Sequence, residues 1–92
     1  MAQSEAVAWT QHGDMHEGKR GQRVVEGNFL NSTNLHSFFY TNEGVLCIEF
    51  RSGRSYEYED VPLDVVEGLM GSSTPGQYFL ENIKYAYSYE EV

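Results

Sequence analysis

The clearest pattern in the chain is an alternation of apolar and polar positions near its centre. Leu46, Ile48 and Phe50 are each separated by one smaller or polar residue, which is the period-two pattern of a β-strand with one buried face. Strand-like runs occur before it at 35–40 and after it at 55–58. The pattern therefore predicts three consecutive strands.

The connections between these runs are short. Residues 41–44 and 51–54 each contain a glycine, the residue that most readily adopts the positive φ needed in tight hairpin turns. The three strands are therefore predicted to form an antiparallel meander. In the third strand Tyr56 and Tyr58 share one face, so their rings are expected to pack toward any helices that cover the sheet.

Two helix starts follow the strands. Pro62 is predicted to occupy the first position of a helix, where its missing backbone N–H costs nothing. It precedes an apolar stripe formed by Leu63, Val66, Leu69 and Met70. The second start has Thr74, Pro75 and Gln77 in the order of a capping box. Helical spacing is predicted to continue from there to Tyr87, before an acidic end.

Charge limits the classes of partner. The chain has a net charge of −8, and ten of its 14 acidic residues, but only three of its six basic ones, lie from position 31 onward. Because nucleic-acid affinity depends largely on clustered Lys and Arg, DNA binding is disfavoured. One or two arginines and backbone amides still suffice for a small anion.

Other composition features are less specific. No apolar run approaches the roughly 20 residues that span a bilayer, and the first residues lack the features of a secretory signal, so a cytoplasmic protein without membrane association is expected. The single cysteine, Cys47, cannot close an intramolecular disulfide and is expected to be packed. No nucleophile elbow or catalytic triad pattern is present, and we predict neither enzymatic activity nor a cofactor.

Two polar clusters occur in the first 30 residues. His12, Asp14 and His16 have a spacing compatible with metal ligands on a strand, but histidines in a solvated loop are commoner, and no metal site is assigned. Three cations, Lys19, Arg20 and Arg23, lie in a glycine-flanked stretch. They are candidate anion contacts, with a solvated hairpin tip as the commoner alternative.

The second half of the chain resembles the KTSC domain, a module named for the C-terminus of some lysyl-tRNA synthetases that also occurs as a free-standing bacterial or phage protein. The similarity extends from Asn31 to Tyr89. The segments that carry it are Asn31–Leu35, Leu46–Gly53, Tyr56–Tyr58, Val61–Pro62, Pro75–Phe79, Ile83–Lys84 and Tyr87–Tyr89. The resemblance implies three strands, two helices, no established catalytic chemistry and an association with RNA.

Three positions depart from the family pattern. Leu80 stands where the family usually has Asn, Phe39 where it usually has Gly, and Thr74 where it usually has Ser. The change at Leu80 removes a polar side chain that would have been available to a ligand, and it puts any transferred binding site in doubt.

The predicted fold class is α+β, with a domain over 31–89, an acidic tail over 90–92 and an extension over 1–30. Within the extension, β-prone runs at 6–10 and 22–26 predict either an added hairpin or a loosely ordered arm. We leave both interpretations open.

Two functional hypotheses follow. In the first, the chain binds a nucleotide-like ligand, either a small nucleotide or a short RNA element, in the manner of a phage protein that holds a nucleotide signal. The candidate ligand-binding residues are Arg54, Tyr56, Tyr58, Tyr78, Lys84 and Tyr87. In the second, exposed tyrosines and the N-terminal hairpin dock a protein partner or a second copy, giving a homo-oligomer.

Overall fold

A computed structural model describes residues 7–11 and 21–92 of the chain. Over these residues it contains one six-stranded antiparallel sheet, whose strand order follows the chain order, and two helices. The strands are β1 Val7–Gln11, β2 Arg23–Phe29, β3 Leu35–Thr41, β4 Leu46–Phe50, β5 Ser55–Tyr58 and β6 Tyr89–Glu91, and the helices, which lie between β5 and β6 along the chain, are α1 Leu63–Gly71 and α2 Pro75–Asn82.

The core lies between one face of the sheet and the helices. Alternate strand residues such as Phe38, Tyr40 and Ile48 are buried in one cluster with Leu69 and Phe79 of the helices. The other face carries the intervening residues, as the period of two requires. We call this second face the open face of the sheet.

The three strands of the predicted meander are confirmed as β3, β4 and β5, but the sheet has six strands instead of the three predicted. The β1–β2 hairpin extends the sheet on one side, so the hairpin interpretation of the N-terminal extension is correct for the described residues. Gly44 and Gly53 adopt positive φ values of 84° and 98° in the two turns, as their place in tight hairpins requires.

The sixth strand was not predicted. Tyr58 pairs with Tyr89, and Tyr56 pairs with Glu91, so the end of the chain returns to the sheet beside β5. The strand includes Glu90 and Glu91, which the sequence had assigned to an acidic tail. A three-residue strand with two carboxylates has too weak a pattern to be recognised without its partner.

The first helix starts one residue later than predicted. Pro62 is its N-cap, and Val66 and Leu69 are buried as expected. Leu63 is instead about half exposed, because it lies at the end of the helix rather than over the sheet. Among the described residues, no helix is long and apolar enough to cross a bilayer.

The second helix starts as predicted, with Pro75 in its first turn and Thr74 as N-cap, but the capping box is absent because Thr74 makes no side-chain cap hydrogen bond. Gln77 instead donates from Nε2 to Oε2 of Glu81. The helix ends at Asn82, five residues before the predicted limit. The amides of both Ile83 and Lys84 donate to the same carbonyl, that of Phe79, which ends the regular helical ladder.

Candidate functional site

Five aromatic rings form a closed circuit where β4, β5, β6 and α2 meet. Each ring contacts two others at centroid separations of 5.5 to 5.7 Å, mostly edge to face, a favourable geometry for aromatic pairs. The five rings are those of Phe50, Tyr56, Tyr89, Tyr58 and Phe79, in circuit order. Phe79 comes from α2, and the others lie in strands.

These rings line a cavity of about 310 Å³, which we call the aromatic groove. Tyr58 is only 3% exposed, while Tyr89 is 59% exposed, so the groove has buried and accessible rings side by side. Tyr85, which also lines the groove, is 81% exposed. A planar ligand could therefore meet an aromatic face without unfolding the core.

Two cations lie in the lining of the aromatic groove. Arg54 follows the β4–β5 turn, which is fixed by hydrogen bonds from Phe50 N to Arg54 O and from Gly53 N to Phe50 O. Lys84 follows α2, and its Nζ lies 5.2 Å from the centroid of the Tyr85 ring. Both side chains are exposed, and within the described part of the chain neither forms an ion pair with a carboxylate.

Burial extends to higher pH the range in which Tyr58 of the aromatic groove stays neutral. Desolvation raises the pKa of Tyr58 to about 12, and nearby Tyr56 and Tyr89 add to the effect. A neutral phenol can donate as well as accept a hydrogen bond. The groove therefore offers stacking surfaces, hydroxyl groups and two positive charges.

A second cavity, of about 400 Å³, adjoins the aromatic groove and shares Phe50, Ser52, Phe79 and Lys84 with it. Leu80, the departure from the KTSC pattern, lines this second cavity and is about half exposed. The substitution therefore makes the wall of the neighbouring cavity more apolar and leaves the residues of the aromatic groove itself unchanged.

Arg51 also lines the second cavity, but its guanidinium already has structural partners. Its Nε donates to the carbonyl of Ser32, and its Nη2 donates to the carbonyl of Phe29, both at 2.8 Å. These bonds tie the β4–β5 turn to the β2–β3 connection. Arg51 therefore acts mainly in the scaffold.

Of the six candidate ligand-binding residues, four lie together in the aromatic groove: Arg54, Tyr56, Tyr58 and Lys84. Tyr78 and Tyr87 do not line it. Tyr78 donates its hydroxyl to the carbonyl of Val65 at 2.9 Å, and burial raises its pKa, with Asp64 and Tyr87 adding to the effect. Tyr87 packs partly buried against the core.

The candidate anion contacts are not brought to the aromatic groove. Lys19 and Arg20 lie outside the described residues, as do His12, Asp14 and His16. Arg23 lies on the open face, where its Nη1 contacts Oε1 of Glu26 at 2.6 Å and its guanidinium lies 4.0 Å from the centroid of the Phe39 ring. No cluster of metal-ligating side chains occurs among the residues that the structure covers.

The open face carries a further cavity of about 580 Å³. Its floor includes short polar side chains such as Asn28, Ser37 and Ser55, with the carboxylates of Glu26 and Glu49. Cys47 is buried on this face, in agreement with its predicted packing role.

The six candidate ligand-binding residues left out four of the rings that line the aromatic groove: Phe50, Phe79, Tyr85 and Tyr89. Phe50 was assigned to the buried face of its strand, and Phe79 to the second helix. Tyr89 could not be placed without knowing that β6 pairs with β5. One signal was available: Lys84 and Tyr85 lie near the end of the second helix, which faces the strand that contains Tyr56 and Tyr58.

The fold and this groove define a small α+β domain in which an antiparallel sheet has helices on one face. The KTSC domain family model matches residues 31–87, and the chain therefore belongs to the KTSC domain family.

The crystal structure of the KTSC domain protein YPO2434 from Yersinia pestis is similar, with a TM-score of 0.67 and 25% identity. The alignment covers 77% of this chain and 96% of that one.

Curated relatives agree with this assignment. The chain is 40% identical over 67 residues to a lysine–tRNA ligase of Trichormus variabilis, and 39% identical over 67 residues to that of Nostoc sp.. In both cases the match covers 73% of this chain but only 11% of the ligase. An uncharacterised protein of Stutzerimonas stutzeri is 39% identical over 56 residues, which is 60% of this chain and 79% of that protein.

Proposed function

We propose that this chain is a non-catalytic binding module whose aromatic groove holds a nucleotide-like anion. The observation that carries the proposal is the combination, in one cavity, of accessible tyrosine rings with the side chains of Arg54 and Lys84. Stacking of a base on an aromatic side chain contributes about 1–3 kcal/mol and tolerates any base. The two cations supply the complement for a phosphate.

Charge favours a small ligand over a long polyanion. From residue 31 onward the described chain has three basic residues, and Arg51 is already bonded to two backbone carbonyls. Two cations suit one or two phosphates, whereas a net charge of −8 repels an extended nucleic acid at long range. The cavity of about 310 Å³ is at the lower end of the usual range for small-ligand sites.

The similarity to part of lysine–tRNA ligases supports a ligand of the nucleotide class and keeps a short RNA element within the proposal. A single-stranded element would present unstacked bases to the exposed rings of Tyr85 and Tyr89. Its binding would weaken with salt, since log affinity falls with log salt concentration in proportion to the number of phosphates neutralised. The affinity for a free nucleotide held by two cations would depend less on salt concentration.

A protein-interaction role is the alternative function. The exposed rings of Tyr85 and Tyr89 favour it, because tyrosine is enriched at interface hot spots. Under this alternative the same rings would contact a polypeptide, and Arg54 and Lys84 would lie at its rim.

A thermal-shift screen against mononucleotides, dinucleotides, cyclic nucleotides and short RNA tests the proposal. A ligand at about 100 times its dissociation constant adds about 2.7 kcal/mol of stability, which should raise the melting temperature by several degrees. We expect Arg54→Ala and Lys84→Ala to reduce the shift. Arg23→Gln is the matched control, since it removes one charge from the open face.

Equal losses in all three variants would point to general electrostatics and contradict the site. The absence of a shift with every nucleotide and RNA would contradict the proposed function and leave the protein-interaction alternative.

A further inference from the structure

The two edges of the sheet differ in charge. The β1 edge and its neighbour β2 contain one cation and one carboxylate, Arg23 and Glu26, which contact each other at 2.6 Å. The edge strand β6 contains two exposed carboxylates, Glu90 and Glu91, and no cation. Within the described residues, the first edge is therefore locally neutral, and the second is acidic.

The edges also differ in how they are protected from pairing. Natural edge strands are commonly kept short or charged, because their unpaired backbone groups otherwise recruit another strand. β6 has both protections, with three residues and two carboxylates. β1 has five residues and neither charge nor proline.

Four of the five β1 residues are accessible. Residues 8–11 are exposed, and Trp9 is 49% exposed. A tryptophan side chain is usually more deeply buried than this. The strand is nevertheless held closely against β2, since a Cβ on Gly27 would lie 2.7 Å from the Cβ of Trp9. β1 is thus a fixed strand with an uncharged outer edge.

We propose that β1 pairs antiparallel with β1 of a second copy of this chain, so that two sheets join into one. Identical strands related by a two-fold axis give a self-complementary interface, and no antiparallel register of Val7–Gln11 places like charges opposite each other. With a net charge of −8 on each copy, most other approaches bring carboxylates together. The neutral β1 edge is where two copies meet with the least repulsion.

The interface is small. One pair of five-residue strands with two indole rings buries less than the area of a standard stable interface, which is about 1,200–2,000 Å². We therefore expect a weak dimer that forms as concentration rises. The pairing involves the opposite edge from the aromatic groove and leaves that groove open.

Sedimentation equilibrium from micromolar to millimolar protein tests the proposal. We expect the wild type to approach dimer mass, while Trp9→Lys and Thr10→Lys remain monomeric because either change brings two lysines together near the axis, directly opposite or as diagonal neighbours on one face. Either change makes the net charge less negative and so weakens the long-range repulsion. Loss of the dimer would therefore be a local effect. Glu90→Gln changes the charge by the same amount at the other edge and should leave the dimer intact.

Trp9, the single tryptophan, gives an independent readout. Its emission should move to shorter wavelength over the concentration range in which the mass rises, and Thr10→Lys should abolish this change while circular dichroism shows a retained fold. Thr10→Lys also decides the question if Trp9→Lys does not fold. A wild type that is monomeric at every concentration, or a dimer that survives the lysine substitution, would overturn the proposal.

Discussion

The tyrosines on the helical side of the sheet form two groups with different roles. Tyr40 and Tyr78 donate their hydroxyls to backbone carbonyls, those of Val61 and Val65. Tyr56, Tyr58 and Tyr89 of the aromatic groove instead contact other rings, and Tyr89 leaves more than half of its surface accessible. The comparison shows that a tyrosine's role here is set by what its hydroxyl meets.

The scaffold pair connects the helical layer to the sheet. Tyr40 lies on β3 and reaches Val61, two residues before α1, while Tyr78 lies on α2 and reaches into α1. Each bond satisfies a carbonyl near the first turn of α1. Stability should therefore depend on these two hydroxyls, and ligand binding should depend on the groove rings.

The largest expected effect is that of Tyr40→Phe. The change leaves the Val61 carbonyl without its buried donor, and an unsatisfied buried group costs about 1–3 kcal/mol. Chemical denaturation should show this loss. Tyr85→Phe is the control, since its hydroxyl belongs to a residue that is 81% exposed. Similar stabilities for the two variants would mean that the Tyr40 hydroxyl has no special role.

Gly68→Ala is expected to have the next largest effect. In an ordinary helix interior, alanine is favoured over glycine by about 1 kcal/mol, but here a Cβ would overlap the hydroxyl and ring of Tyr78. The variant should therefore be destabilised and lose the bond from Tyr78 to Val65.

A double-mutant cycle with Tyr78→Ala would test this cause. Once the ring is absent, Gly68→Ala should stabilise the chain, so that the sign of its effect reverses. An effect of the same sign in both backgrounds would contradict the assigned contact.

Alkaline pH should separate the buried hydroxyls from the exposed ones. Burial raises the pKa of Tyr58 to about 12, above its ordinary value of 10, and also raises that of Tyr40. Above about pH 10 the unfolded chain releases these protons before the folded chain does. The contribution of these phenols to the free energy of unfolding should therefore be constant below about pH 10 and fall between about pH 10 and about pH 12.

Unfolding midpoints at about pH 9 and about pH 11 would measure this slope. Tyr58→Phe should make it shallower, because it removes one of the buried titrating groups. An unaltered slope in Tyr58→Phe would show that this phenol does not titrate abnormally.

The smallest effect on stability is expected for Tyr85→Ala. Its ring is 81% exposed and contacts mainly Lys84, so unfolding should change by no more than about 0.5 kcal/mol. If the proposed function holds, nucleotide affinity should fall by about 1–3 kcal/mol. Isothermal titration with the best ligand from the screen would compare the two effects. A large loss of stability with unchanged affinity would place Tyr85 in the scaffold.

Much of the fold could be predicted because its signals are local. Alternation in 46–50, glycines in two tight turns and Pro75 at a helix start all act within a few residues, and each was confirmed. The signal for β6 is not local, since its pairing partner is β5, more than 30 residues earlier. The capping box did not form: the Thr74 amide donates to Oγ of Ser72, and the Gln77 side chain donates to Glu81.

The candidate site could be predicted only in part. Tyr56 and Tyr58 were grouped correctly because strand alternation alone places them on one face. Tyr78 looked equivalent in the sequence, but its hydroxyl partner is a backbone carbonyl 13 residues away, and side-chain patterns do not reveal such partners. Arg54 and Lys84 line the same groove only because the β4–β5 turn and the end of α2 lie close together in the fold.

A nuclear magnetic resonance titration of the labelled wild-type protein with a nucleoside monophosphate tests the central claim most directly. The account predicts that amide shifts concentrate in 52–58 and 83–89, around the aromatic groove, while Tyr40, Tyr78 and the open-face residue Phe39 remain unchanged. Shifts confined to the open face, or no shifts at millimolar nucleotide, would contradict it.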